Sequence, residues 1–160
     1  MISKIRVVRT SSRLFSSAPK LQVGHSVPKK MKFMAHDTSV GPQSLQVQEC
    51  DTPEYNPDKE VLIKIEATAT NRGDLLQSYG KYPPPKGVTN IIGLECSGYL
   101  VDPVTQEITD KRVMALLGGG GYSQFVKVNK DHIMNIPQGM SFEDAAAIPE
   151  AWTTAYQLLF

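Results

Sequence analysis

One stretch of sequence decides the fold: Asn71-Arg72-Gly73-Asp74, followed by Tyr82-Pro83-Pro84-Pro85 and then by Gly93-Leu94-Glu95-Cys96-Ser97-Gly98. Apolar and polar residues alternate over 60–69 before it, which predicts a strand with one apolar face. A short polar helix is predicted over 71–78. The last part predicts a strand within 91–101, whose two glycines allow a bend or a close backbone approach.

Further short strands are predicted on both sides of this stretch. They lie within 32–36, 45–49, 112–117 and 122–128. Gly41-Pro42 predicts a turn, and 102–111 reads as a polar turn region. Gly118-Gly119-Gly120-Gly121 predicts a flexible turn between two strands. Five or more short strands with little helix predict a mainly β fold, in the form of a partly open barrel.

Helix is predicted only towards the end of the sequence. Ser141, with an acidic residue three positions later, predicts a helix N-terminus before an alanine run. Pro149 interrupts that run and favours the first turn of a second helix, which continues to Phe160. Because the segment 145–160 is strongly apolar, we expect it to expose an apolar surface.

Taken in order, these segments resemble the first catalytic segments of the medium-chain dehydrogenase/reductase superfamily. The resemblance is closest to its zinc-free quinone oxidoreductase branch, of the type induced by the p53 tumour suppressor. Three further runs agree, and they are Ala115–Gly121, Ala145–Trp152 and Thr154–Leu159. The resemblance covers about residues 31–160. It implies a GroES-like catalytic domain that ends in a helix leading towards a Rossmann domain.

The resemblance also implies a division of the chain. Residues 1–30 would be a transit peptide or a disordered leader, and 31–160 the GroES-like catalytic domain with the start of the linking helix. The Gly-x-Gly-x-x-Gly turn that binds a dinucleotide pyrophosphate is not found in the sequence. We therefore expect the nucleotide-binding domain to be missing, and the chain alone to show no NADPH–quinone reductase activity.

The leader has the composition of a mitochondrial transit peptide. It is rich in serine and arginine, and no acidic residue precedes Asp37. At helical spacing Arg6, Arg9 and Arg13 share one side and apolar residues the other. We expect the mitochondrial matrix; a disordered basic tail on a cytoplasmic protein is the alternative. Purely cytosolic fluorescence of a reporter fused to residues 1–30 would contradict the matrix prediction.

Charge and hydropathy exclude two classes of partner. The formal net charge is +1, but the leader holds much of the positive charge, so the remainder of the chain is acidic. An acidic body argues against a nucleic-acid-binding surface. The longest apolar runs are far shorter than the roughly 20 residues that a membrane-spanning helix requires.

No metal site is predicted. Zinc alcohol dehydrogenases of this superfamily have a cysteine ligand at the position of Asn71 and a histidine at that of Leu94. Catalytic zinc needs three protein ligands and an open position, and asparagine and leucine do not supply them. Cys96 with His36 or His132 lacks the spacing of a ligand set.

Without a metal, a carbonyl is polarised by hydrogen bonds. The candidates are the Asn71 amide, the Tyr82 hydroxyl and Arg72. In related quinone oxidoreductases the residues matching Asn71 and Tyr82 face the nicotinamide and the substrate. We therefore expect Asn71 and Tyr82 to be catalytic, and Asn71 and Arg72 to contact the cofactor. Capping of a helix by Asn71 and packing of Tyr82 on the prolines are the alternatives.

Two carboxylates near these residues are expected to be structural. Asp74 would accept hydrogen bonds from nearby backbone N–H groups or pair with Arg72. Glu95 lies in an otherwise apolar strand, where a buried carboxylate needs a partner, so Arg72 or a lysine is expected beside it.

The resemblance implies an NADPH-dependent quinone oxidoreductase that reduces quinones or other conjugated carbonyls without metal, as a homodimer in its full-length form. Transfer of one or of two electrons is compatible with these residues. The alternative is a non-enzymatic GroES-like binding or assembly module without a cofactor domain. The rigid Tyr82-Pro83-Pro84-Pro85 loop fits poorly with the mobile loop of a co-chaperonin.

Overall fold

The computed structural model describes residues 7–8 and 23–160, which form a mainly β structure with a few short helices. Its strands are β1 (Val7–Val8), β2 (Lys30–Asp37), β3 (Gly41–Asp51), β4 (Glu60–Ala69), β5 (Glu95–Val101), β6 (Ile108–Leu116), β7 (Phe125–Asn129) and β8 (Ile133–Asn135). Its helices are α1 (Arg72–Ser78), α2 (Phe142–Ala146) and α3 (Thr153–Leu159), with a 3-10 turn at Lys130–His132 and a π-helical turn at Ile148–Trp152. The predicted fold class is therefore confirmed. Most of the predicted transit peptide lies outside the described residues.

The strands form two antiparallel sheets that do not close on themselves. In the larger sheet the order is β1-β4-β5-β6-β8, and β7 pairs with β4. Strands β2 and β3 form a separate hairpin, whose turn lies just before Gly41 and not at Gly41-Pro42. Strand β4 is the centre of the arrangement because it pairs with β5 along one edge and with β1 and β7 along the other.

Strand β4 contributes to the core from both of its faces, whereas the sequence predicted one apolar face. Ile63 and Ile65 enter a core cluster with residues from β5, β6 and β7. Leu62, which points the other way, packs in a second cluster with Met31 and Phe125. This second cluster fixes the β2–β3 hairpin to the larger sheet. Gln124 strengthens the junction, since its N–H donates to the Lys32 carbonyl at 3.0 Å.

The glycine run lies between β6 and β7, so the predicted turn between two strands is present there. Backbone hydrogen bonds join it to the segment before β5: Gly120 N–H donates to Ile91 O at 2.6 Å, and Gly121 N–H to Gly93 O at 3.1 Å. A Cβ on Gly93 would lie 2.6 Å from the Gly121 Cα. These positions need glycine because two backbones meet there without room for a side chain.

The last helices pack on the larger sheet at their start and leave it at their end. Ser141 caps α2, as predicted, by accepting a hydrogen bond from the Asp144 N–H. Ser97 Oγ donates to the Phe142 carbonyl at 2.6 Å and so ties α2 to β5. The expected apolar surface is present only in the last part of 145–160: the large apolar side chains are exposed from Trp152 onward, whereas Ala145, Ala146, Ala147 and Pro149 are buried. Within residues 7–8 and 23–160, no helix combines the length and hydropathy that a membrane crossing demands.

Candidate active site at the start of helix α1

Asn71 is the N-cap of α1, immediately after β4. Its backbone N–H donates to Asp74 Oδ2 at 2.7 Å, while its side chain faces the Asp74 N–H in a reciprocal capping box. The predicted capping role of Asn71 is therefore present, and the short helix forms where the sequence places it.

Asp74 is buried beneath the first turn of α1, with 4% of its surface exposed. Its Oδ2 also accepts a hydrogen bond from the Tyr122 hydroxyl at 3.1 Å, whereas Oδ1 has no partner among the described residues. The predicted acceptance of a backbone N–H is found, and the alternative pairing with Arg72 is not. Burial raises the pKa of Asp74 to about 6, against the effect of the hydrogen bonds from Asn71 and Tyr122. Burial likewise raises the pKa of Tyr122.

Glu95, the first residue of β5, is completely buried, and its partners differ from those predicted. Oε1 accepts from Asn71 Nδ2 at 2.9 Å, and Oε2 accepts from the Glu150 N–H at 2.8 Å. Among the residues that the structure describes, neither Arg72 nor any lysine pairs with Glu95, so the expected basic partner is not found there. Burial raises the pKa of Glu95, and the hydrogen bonds from Glu150 and Asn71 oppose that shift.

Tyr82 lies in the loop after α1, and its side chain is half exposed. Its ring approaches the start of α1, since a Cβ on Gly73 would lie 4.0 Å from Tyr82 Cδ1 and would overlap Leu94 Cδ1. Gly73 thus leaves space that the Leu94 and Tyr82 side chains fill. The structure therefore brings Asn71, Gly73, Tyr82 and Leu94 to one end of the helix.

Arg72 is exposed at the first helical position and makes no ion pair with any residue that the structure describes. It is therefore accessible to solvent, and its contact with a cofactor stays a prediction. Three or more His, Cys, Asp or Glu side chains do not cluster as metal ligands anywhere in 23–160. At the two positions where zinc relatives have ligands, Asn71 binds Glu95 and Leu94 packs over Gly73.

Two polar residues of the site were missed in the sequence. Tyr122 follows the glycine run, and nothing in its local pattern points to Asp74, 48 residues away. Gln77 is buried and connects two distant backbones, because its Nε2 donates to Gly118 O at 3.1 Å and its Oε1 accepts from the Gly93 N–H at 3.3 Å. For Gln77 a signal was available in the sequence, because a polar residue on the inner side of an amphipathic helix needs hydrogen-bond partners there.

A separate cavity of about 480 Å³ lies between the loop 85–91 and β7. Met31, Ile91 and Phe125 give it an apolar floor, and Lys86 and His132 lie among its polar lining. Asn71, Arg72 and Tyr82 do not line it. The candidate active site is therefore the open surface at the start of α1 and not this cavity.

The buried Asp74 carboxyl gives a pH-dependent prediction. Its pKa is about 6 in the folded state against an ordinary 3.8, so the native state holds more protons than the unfolded state between these values. The contribution of Asp74 to stability must therefore fall as pH rises from about 4 to 6, by up to about 3 kcal/mol. Asp74→Asn is expected to remove this loss, as measured by urea unfolding at pH 4 and pH 7.

The comparison requires a control with the same charge change. Asp110→Asn alters an exposed carboxyl on β6 and should leave the difference between the two pH values close to that of the unaltered chain. Parallel stability curves for the unaltered chain and Asp74→Asn would contradict the raised pKa. Glu95 shifts stability in the same direction, so some pH dependence should persist in Asp74→Asn.

A family model matches the central part of the chain. Residues 57–138 match the alcohol dehydrogenase GroES-like domain. Among curated proteins, the synaptic vesicle membrane protein VAT-1 homolog of Danio rerio is 37% identical over 107 residues, which are 63% of this chain and 22% of that protein. The chain spans only about a quarter of the length of the first such relatives.

Solved structures show the same likeness. The quinone oxidoreductase of Coxiella burnetii superposes with a TM-score of 0.66 at 25% identity, covering 82% of this chain and 44% of that one. The quinone oxidoreductase of Thermus thermophilus, which was also solved in complex with NADPH, superposes with a TM-score of 0.60 at 30% identity. The match covers 81% of this chain and 39% of that one. The structural similarity therefore extends over about four fifths of this chain.

Proposed function

Because this chain belongs to the alcohol dehydrogenase GroES-like domain family, a family of oxidoreductases, we propose that it forms the substrate side of an NADPH-dependent quinone oxidoreductase. The substrates would be quinones or other conjugated carbonyls, reduced without a metal as in the zinc-free branch of the superfamily. The observation that carries this proposal is the arrangement at α1, where Asn71 and a half-exposed Tyr82 flank a position filled by Leu94.

The residues at this end of α1 suit an uncharged carbonyl substrate beside a nicotinamide. The Tyr82 hydroxyl has no hydrogen-bond partner among the described side chains and is available to donate to a carbonyl oxygen. The second Asn71 Nδ2 proton, which does not bind Glu95, is a further donor. The exposed Arg72 offers a cation for a phosphate or another anionic group of the cofactor.

Each group would then have a defined part in the reaction. NADPH, when bound, supplies the hydride. Tyr82 and Asn71 orient the carbonyl and stabilise the negative charge that develops on its oxygen, which is the most effective place for a hydrogen bond to act. Leu94 occupies the space beside Gly73 and keeps water from the apolar side of the substrate.

A domain exchange tests the proposal directly. Residues 31–160 would replace the matching domain of the Thermus thermophilus quinone oxidoreductase, and NADPH oxidation would be followed with quinones, enones and simple alcohols. We expect quinone or enone reduction and no alcohol oxidation. A folded chimera that binds NADPH but reduces neither class would contradict the proposed function and favour a non-enzymatic binding module.

Within this chimera, Tyr82→Phe is expected to lower kcat about 5- to 150-fold, because it removes a hydrogen bond worth about 1–3 kcal/mol in the transition state. Tyr79→Phe is the matched control, since Tyr79 is also partly exposed near the end of α1 but packs towards Gly41 and Lys81. Unchanged turnover of Tyr82→Phe on several quinones would remove Tyr82 from the mechanism.

A further inference from the structure

Glu95 joins three parts of the fold through one buried carboxylate. Oε1 binds the Asn71 side chain after β4, and Oε2 binds the backbone of the π-helical turn at Ile148–Trp152. Ion pairs are not involved, because none of those within the described residues includes Glu95. A negative charge is thus held by N–H donors alone.

The π-helical turn explains why an acceptor is needed there. The first N–H groups of a helical segment have no partner within the helix. Glu150 and Ala151 occupy this position, immediately after the buried Pro149. Buried donors without an acceptor are costly, so a carboxylate with two oxygens fits the place. The two donors to this carboxylate, Asn71 Nδ2 and the Glu150 N–H, offset part of the cost of burying the charge.

The Asn71 amide lies between Glu95 and the first turn of α1, and its hydrogen bond is to Glu95. Its nitrogen donates to Glu95, and its side-chain oxygen faces the Asp74 N–H in the capping box. A carboxylate accepts and does not donate, so Glu95 selects the amide orientation that directs the nitrogen towards β5. The remaining Nδ2 proton then has one fixed direction on a half-buried side chain.

We propose that Glu95 is a positioning residue of the candidate site, which fixes the Asn71 amide and couples it to the π-helical turn at Ile148–Trp152. This inference rests on the proposed function, in which Asn71 binds the substrate or the nicotinamide. It assigns no contact with a reacting atom to Glu95, which lies completely buried below the site. A change in the π-helical turn would therefore reach Asn71 through a single side chain.

Glu95→Gln tests this role because glutamine has nearly the same shape as glutamate. It replaces one acceptor oxygen with an NH₂ group, which can only donate. The glutamine oxygen cannot serve both Asn71 and the π-helical turn, and its NH₂ group would oppose an N–H group at one of them. Backbone N–H groups cannot rotate away, whereas the Asn71 side chain can. We therefore expect the oxygen to remain with Glu150 and the Asn71 amide to be released.

Nuclear magnetic resonance of the full 160-residue chain reads this release without any ligand. The signals of the Asn71 side-chain NH₂ group are assigned by their loss in Asn71→Asp. In Glu95→Gln its protons should exchange with solvent about 10- to 100-fold faster, because a hydrogen bond to a charged acceptor is lost. The Glu150 N–H should keep most of its protection. Unchanged exchange of the Asn71 NH₂ group would overturn the proposal.

Two further variants separate positioning from general loosening. Ser97→Ala removes the hydrogen bond to the Phe142 carbonyl and should loosen α2 without altering the Asn71 signals.

The double variant Asn71→Asp with Glu95→Gln keeps the number of charges and reverses the direction of the hydrogen bond, since the introduced glutamine amide would donate to the introduced carboxylate. It should regain the unfolding midpoint of the unaltered chain; a midpoint no higher than that of Glu95→Gln would contradict the proposed pairing.

Nicotinamide mononucleotide is the probe for the functional part. We expect weak binding to the unaltered chain with shifts at Asn71 and Arg72, about 10-fold weaker binding to Glu95→Gln, and no recovery in the double variant, because aspartate cannot donate. Failure of the unaltered chain to bind would count against the proposed function. Equal binding by Glu95→Gln would overturn the positioning role even if the proposed function holds.

Discussion

Replacing Gly98 with alanine is expected to lower the free energy of unfolding by at least about 4 kcal/mol, near the upper end of single-substitution effects. Gly98 lies in the middle of β5, opposite Ile65 of β4, where the pairing of the two strands shifts. A Cβ there would overlap the Lys64 carbonyl oxygen and lie 2.9 Å from its carbon. Backbone atoms cannot move aside as a flexible side chain can, so the two central strands would have to separate.

Guanidinium unfolding of the full chain measures this effect, and Gly87→Ala is its control. Gly87 has a φ of +87° but no atom within 4 Å of a new Cβ, so alanine there meets backbone strain without crowding. That strain costs about 1–2 kcal/mol. Similar losses in the two variants would show that β4 and β5 tolerate a side chain at Gly98, against the geometry.

Phe125→Ala is expected to cost about 3–5 kcal/mol, the usual range for a large side chain removed from a core. Phe125 is completely buried where the β2–β3 hairpin packs on the larger sheet, in one cluster with Met31 and Leu62. Its loss should loosen the β2–β3 hairpin more than the larger sheet. Amide hydrogen exchange should therefore accelerate first in β2 and β3.

Val104→Ala is the comparison for Phe125→Ala. The Val104 side chain is 88% exposed in the turn before β6, and its truncation should change stability by no more than about 0.5 kcal/mol. If the two variants unfolded at the same denaturant concentration, the Phe125 cluster would not be the junction between hairpin and sheet.

Local patterns in the sequence predicted the elements whose causes are local. The alternation over 60–69 gives β4 its observed limits, and the capping residues Asn71 and Ser141 begin their helices as expected. The limits of β5 and β6 were less well predicted. Strand β5 begins at Glu95 because the residues before it form hydrogen bonds with the glycine run. Strand β6 begins at Ile108, earlier than predicted, because an exposed part of a sheet can hold polar residues of the kind that also occur in turns.

Contacts between distant segments were the part that the sequence did not reveal. The partners of Glu95 come from 24 and 55 residues away, and a buried carboxylate was assumed to need a cation. Backbone and amide N–H groups serve instead, which no pattern of charges could show. The contacts of the glycine run were not predicted for the same reason, since its backbone N–H groups donate to Ile91 and Gly93, which lie in a distant segment.

The pairing of β7 with β4 has a consequence for synthesis of the chain on the ribosome. Glu60 pairs with Asn129, so β4 emerges 69 residues before its last partner along that edge has been made. At the usual 5–20 residues per second this delay is about 3–14 s. During that time Leu62, Ile63 and Ile65 have no completed core to enter, so the central strand of the folded protein is open to chaperones and to other nascent chains.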